Sequence, residues 1–63
     1  MTDEEAQSIK PGETLVDVLD PARTFVVREV DLRDRLGRNF RGVVSGEEYS
    51  TDVRTLQAVW RRP

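Results

Sequence analysis

Turn-forming residues recur at short intervals in this chain and divide residues 10–52 into short segments. The first signal is Lys10-Pro11-Gly12, and the second is Asp20-Pro21-Ala22-Arg23, with Asp and Pro where a type I turn favours them. Asp34-Arg35-Leu36-Gly37 supplies a glycine for positive φ, and Ser45-Gly46 has the length of a two-residue hairpin connection. The chain is therefore expected to consist of short elements joined by tight turns.

The segments between these turns are rich in β-branched and aromatic residues, which favour strands. They span residues 14–19, 24–32, 38–44 and 47–52. Short strands joined by tight turns predict an antiparallel meander. The first segment is apolar on both faces except at Asp17. A strongly curled sheet is expected, because it can bury both faces of such a strand.

Alternation along the strands predicts which side chains enter the core. Phe40 and Val44 share one face of the third segment, and Tyr49 and Thr51 share one face of the fourth. In the second segment, regular alternation places two sets of side chains on opposite faces: Phe25, Val27, Glu29 and Asp31 against Val26, Arg28, Val30 and Leu32. Phe25, Tyr49 and Trp60 are interpreted as core residues rather than ligand platforms, and Trp60 is expected to pack against Leu56 and Phe40.

The last eleven residues permit two interpretations. The favoured one is a single 3₁₀ turn over residues 53–57 and a short closing strand over residues 58–61, because Thr, Val and Trp are poor helix formers. The alternative is a four-stranded meander with a C-terminal α-helix. In that helix Asp52 is the N-cap, and Val53, Leu56 and Trp60 share one face.

With the favoured ending, the layout resembles the small SH3-like barrels, including Tudor-type and KOW-type modules, over residues 10–61. The matching features are Lys10-Pro11-Gly12-Glu13 before the first strand, Leu19-Asp20-Pro21 after it, Gly37 and Gly46 in successive hairpins, and Thr55-Leu56-Gln57-Ala58-Val59-Trp60 at the end. The resemblance implies an all-β barrel of five short antiparallel strands. It carries over no aromatic cage and no KOW consensus, and a fold alone does not define a function.

Length and composition limit the domain organisation and the chemistry. Sixty-three residues build one small core, which we expect to comprise residues 10–63 behind a disordered acidic tail over residues 1–9. The chain contains no Cys and no His, so it forms no disulfide and lacks the usual zinc ligands. No apolar run is long enough to span a membrane. We expect a soluble cytoplasmic protein without a cofactor, a small-molecule substrate or enzymatic activity, because His and Cys are the commonest general base and the best nucleophile.

The charge is divided unevenly along the chain. Residues 1–20 carry one Lys against six acidic residues, a net −5, and residues 21–63 carry nine Arg against six, a net +3. The functional hypothesis is an interaction module that binds a protein partner or a second copy through a strand edge and an Arg-bearing hairpin. The alternative is binding of single-stranded nucleic acid, RNA in particular, by the same hairpin. The residues expected to bind are Arg28, Arg33, Arg35, Arg38, Phe40 and Arg41.

Overall fold

The predicted tight turns at residues 10–13, 20–23 and 45–46 are present, whereas the centre of the turn predicted at residues 34–37 lies outside the described residues. The amide of Arg23 donates a hydrogen bond to the carbonyl of Asp20 at 2.9 Å, as in the β-turn predicted over residues 20–23. Ser45 and Gly46 have φ of 51° and 79°, the two positive values that a type I′ hairpin requires. Gly37 has φ of 95°, as expected for a glycine next to a hairpin loop.

The computed structural model describes residues 1–34 and 37–63, and for residues 32–34 it describes the backbone alone. The helices and strands, in chain order, are α1 (Asp3–Ser8), β1 (Thr14–Asp17), β2 (Thr24–Asp34), β3 (Gly37–Val44), β4 (Glu47–Asp52), α2 (Val53–Val59) and β5 (Trp60–Arg61). The strands form one antiparallel sheet in the order β4-β3-β2-β1-β5. The predicted all-β fold of five antiparallel strands is confirmed, as a sheet curled into a half-barrel.

A β-bulge in β2 changes the alternation predicted for that strand. Val27 pairs with Gly42 and Glu29 pairs with Arg41, so Arg28 is the extra residue between the two pairs. Phe25 is buried as expected, Val27 is buried with it, and beyond the bulge Val30 packs against the core. The prediction that Glu29 shares a face with Phe25 and Val27 is wrong, because regular alternation does not allow for an inserted residue.

The segment before β5 is an α-helix of seven residues rather than a 3₁₀ turn. Asp52 caps this helix: its Oδ1 accepts a hydrogen bond from the amide of Thr55 at 2.7 Å. Leu56 is fully buried on the side that faces the sheet. The cap and the burial of Leu56 thus outweigh the low helix propensity of Thr and Val, and the chain combines the helix of one interpretation with the closing strand of the other.

The acidic N-terminal segment also differs from the expectation of a disordered tail. Residues Asp3–Ser8 form α1, which begins with a capping box between Thr2 and Glu5. Ala6 and the following Ile9 are buried in the core, so the packed unit extends beyond residues 10–63. Gln57 of α2 donates to the carboxylate of Asp3 at 2.5 Å, which ties the two helices together.

Aromatic rings occupy the centre of the core. Phe25 and Trp60 are fully buried, and half-buried Tyr49 packs against them, with ring centroids 5.0 Å apart for Phe25–Tyr49 and 5.8 Å for Tyr49–Trp60. The core role predicted for these rings is confirmed. Gly42 is needed in this packing, since a Cβ atom there would lie 1.9 Å from the carbonyl oxygen of Val26 and 2.8 Å from the Phe25 ring.

Two leucines of opposite exposure test the assignment of the core. Leu56→Ala removes a fully buried side chain and is expected to lower the free energy of unfolding by about 2 to 4 kcal/mol. Leu19→Ala removes the same atoms from a side chain that is 91% exposed, and a change below about 0.5 kcal/mol is expected. Urea denaturation monitored by Trp60 fluorescence measures both, and equal effects would contradict the assignment.

Candidate functional site

The bulge in β2 brings charges of both signs to the outer face of the sheet. Because Arg28 and Glu29 together oppose the single residue Arg41 of β3, these three side chains lie side by side. Arg41 forms a loose ion pair with Glu29, with 3.9 Å between Nη1 and Oε1. The two side chains are 54% and 62% exposed, so water weakens this pair and leaves Arg41 available to another anion.

These side chains line a shallow groove that continues onto β4. Its volume is about 680 Å³, and Gly42 and Val43 of β3 contribute to its lining. The polar side chains around it are those of Arg28, Glu29, Arg41, Glu48 and Ser50, and the groove is also bordered by Tyr49, whose ring packs in the core on the inner face. We call this the outer-face groove. It holds two cations and two carboxylates around a small apolar surface.

One side of the outer-face groove is the edge of the sheet. Within the described residues, β4 pairs with β3 on one side and with no strand on the other. Val44 and Glu47 flank the two-residue turn and form the first hydrogen-bonded pair, and such pairs alternate along the hairpin. The backbone groups of Glu48 and Ser50 therefore point away from β3. They are free to hydrogen-bond an added strand.

The structure brings together two of the six residues expected to bind. Arg28 and Arg41 lie in the outer-face groove, whereas half-buried Arg38 lines a separate crevice of about 200 Å³ beside Ile9 of the N-terminal segment. Phe40 is fully buried, so it is a core residue rather than a stacking platform. Arg35 and the side chain of Arg33 lie outside the described residues.

Sequence reasoning missed the other members of the groove. Regular alternation predicts Glu29 on the face opposite Arg28. The β-bulge that moves Glu29 to the same face has no signature in a single sequence. Glu48 and Ser50 alternate with Tyr49 and Thr51, so their outward position follows from the predicted hairpin. Glu48 and Ser50 matter as candidate binding residues because β4 is an edge strand. β4 lies at the edge because, among the described residues, β5 pairs with β1 on the other side of the sheet and does not close against β4.

A second charged cluster lies near the opposite edge of the sheet, beside β5. Asp17 is buried at the end of β1, and its two carboxylate oxygens accept hydrogen bonds from the Leu19 amide at 2.8 Å and from Nη1 of Arg23 at 2.7 Å. The guanidinium of Arg23 lies 4.9 Å from the centroid of the Trp60 ring. The Leu19 amide and the Arg23 guanidinium hold the pKa of Asp17 below its ordinary value. This saturated arrangement joins β1, β2 and β5, and its role is structural.

β4 carries two adjacent carboxylates at its start. Glu47 and Glu48 are neighbours along β4, so they extend to opposite faces and do not converge. In the part of the chain that the structure describes, no three Asp or Glu side chains are grouped as metal ligands. No described helix is long and apolar enough to cross a membrane.

Comparison of the chain with protein-family models, with curated proteins and with solved structures found no match. The outer-face groove and the open edge of β4 are therefore the features on which a function can be based.

The Asp17 cluster predicts how stability changes with pH. Because the pKa of Asp17 is lower in the folded than in the unfolded chain, the unfolded chain binds more protons in acid. This stabilisation is complete above the ordinary value of 3.8 and is lost as the pH falls through 3.8 towards the folded pKa.

Thermal denaturation between pH 7 and pH 2 measures this loss. Asp17→Asn is expected to lower Tm at pH 7 and to reduce the further drop in acid, whereas exposed Glu47→Gln leaves the wild-type profile unchanged. Equal profiles for wild type and both variants would show that the Asp17 contacts contribute nothing.

Proposed function

We propose that the chain is an SH3-like small barrel and a non-enzymatic interaction module that binds an extended segment of a protein. The segment adds to the open edge of β4 and places its side chains in the outer-face groove beside Arg28 and Arg41. The observation that carries this proposal is that one groove is lined by both arginines and by Glu48 and Ser50, whose backbone groups point outward from the edge of β4. Strand addition supplies affinity through the backbone, and the side chains of the groove supply selectivity.

The composition of the outer-face groove favours a protein over a nucleic acid. Glu29 and Glu48 lie beside the two arginines and would repel phosphate groups. Phe40 is buried, and Tyr49 is committed to the aromatic core, where its hydroxyl oxygen accepts a hydrogen bond from Nε1 of Trp60 at 3.3 Å. Stacking on unpaired bases, the usual basis of single-strand recognition, therefore has no exposed ring beside the two arginines among the described residues.

A single position on β4 tests strand addition. Ser50→Pro removes the outward N–H without breaking the ladder with β3, since Pro is tolerated on an edge strand where the N–H faces solvent. Ser50→Ala keeps the N–H and is the matched control. Immobilised full-length chain carrying either variant is used to capture proteins from cell extract, with and without nuclease, and the affinity of each captured protein is then measured.

A protein partner is expected to be retained after nuclease treatment by wild type and Ser50→Ala. Ser50→Pro should lower its affinity about tenfold or more, because an unmade backbone hydrogen bond costs about 1 to 3 kcal/mol. Circular dichroism of both variants checks that the sheet is intact. Equal binding by the two variants would contradict strand addition at β4, and binding abolished by nuclease would favour the nucleic-acid alternative.

A further inference from the structure

We propose that the segment that adds to β4 is β4 of a second copy, so that the chain forms a two-fold symmetric dimer with one continuous sheet across both protomers. This inference rests on the proposed use of the β4 edge and goes further by naming its occupant and register. A two-fold axis perpendicular to the sheet pairs a strand with its own copy in the antiparallel direction. The edge must then complement itself, and this requirement can be checked residue by residue.

Backbone geometry limits how two copies of β4 can pair. The outward backbone groups belong to residues 48, 50 and 52, so hydrogen-bonded pairs form between members of this set. Because β4 spans Glu47–Asp52, two symmetric registers overlap most of each strand, one over residues 47–51 and the other over residues 48–52. Every other symmetric register that pairs outward residues with each other overlaps three residues or fewer. Two arrangements therefore remain to be compared.

Charge separates the two registers. The register over residues 48–52 places Ser50 opposite Ser50 of the second copy and Glu48 opposite Asp52 of the second copy. It creates two direct contacts between carboxylates, and like charges directly opposite destabilise a sheet. The register over residues 47–51 places Glu48 opposite Ser50, Glu47 opposite Thr51, and Tyr49 opposite Tyr49. It contains no such contact, and we assign it to the dimer.

The same register gives Arg41 an anionic partner. Arg41 is paired with Ser50 across β3 and β4, and Ser50 faces Glu48 of the second copy, so these three residues form one row on the outer face. The row spans about 10 Å between the outer two backbones, which the long Arg and Glu side chains bridge over the small Ser. Symmetry makes two such pairs. Arg41 is free to form them because its ion pair with Glu29 is long and exposed.

The charge balance of the outer-face groove agrees with a second copy as the occupant. Arg28 and Arg41 are balanced by Glu29 and Glu48, so the groove favours neither an acidic nor a basic segment. In the assigned register, the two-fold axis sets Arg41 of each copy in line with Glu48 of the other, so opposite charges meet across the interface. On the inner side, Tyr49 lies opposite its own copy, an uncharged pair that adds no repulsion.

Sedimentation equilibrium of the purified full-length chain tests dimer formation at concentrations from about 10 μM to about 1 mM, the range in which small interfaces associate. Wild type and Ser50→Ala are expected to dimerise, and Ser50→Pro to weaken the dimer at least about tenfold. Arg41→Glu and Glu48→Arg should each weaken it, whereas an equimolar mixture of the two should form a heterodimer in which both rows again join opposite charges. Failure of the mixture to recover association would overturn the Arg41–Glu48 contact.

The absence of native cysteine allows the register to be tested by cross-linking. A mixture of Glu48→Cys and Ser50→Cys chains should form a disulfide heterodimer under mild oxidation, since these positions face one another in the proposed register. Cross-linking of Ser50→Cys with itself would instead identify the rejected register. A chain that stays monomeric while a captured partner still depends on the Ser50 N–H would overturn the dimer and leave the proposed function standing. If Ser50→Pro changes neither dimer formation nor the binding of the captured partner, both the proposed function and the proposed dimer would be overturned.

Discussion

The packing of Phe25, Tyr49 and Trp60 between the two edge strands of the half-barrel is the interaction on which the rest of the structure depends. Tyr49 belongs to β4 and Trp60 to β5, the two edge strands, and their ring centroids are 5.8 Å apart above Phe25. The edges are therefore held together by side chains, where a closed barrel would use a backbone ladder. The small core gains its cohesion in this way, and the outward backbone groups of β4 remain available for another strand.

Core packing and the composition of the outer-face groove are coupled through one short stretch of β2 and β3. The Phe25 ring packs closely over Gly42, where any side chain would clash with it. Next to this contact the bulge at Arg28 lets β2 bend, and it turns both Arg28 and Glu29 towards Arg41. A substitution that removes the bulge would therefore change two things together: the packing of Val30 against the core, and the arrangement of the charged side chains in the outer-face groove.

Local signals in the sequence were sufficient for the turns, most strand faces and the all-β fold, because Gly46 and Pro21 act through their own backbone preferences. Three features depend on more distant contacts. The bulge at Arg28 has no local signature. Helix α1 requires the burial of Ile9 by the rest of the chain, although the Thr2–Glu5 capping box was a readable sign of its start. Arg38 and Arg41 are close in sequence, yet they lie in separate cavities of the curled sheet.

The acidic residues of β4 protect an edge strand from aggregation, and under the proposed function they would also make its binding selective. Glu47 and Glu48 are exposed beside unpaired backbone groups, and charges at such positions discourage indiscriminate strand pairing. Repulsion between carboxylates also acts on any approaching strand, since it penalises every register that sets an acid opposite Glu48. A strand that offers a small neutral residue there, with an arginine one strand further in, meets no such penalty. In the proposed complex, the carboxylates that discourage aggregation at this edge would therefore also select which strand occupies it.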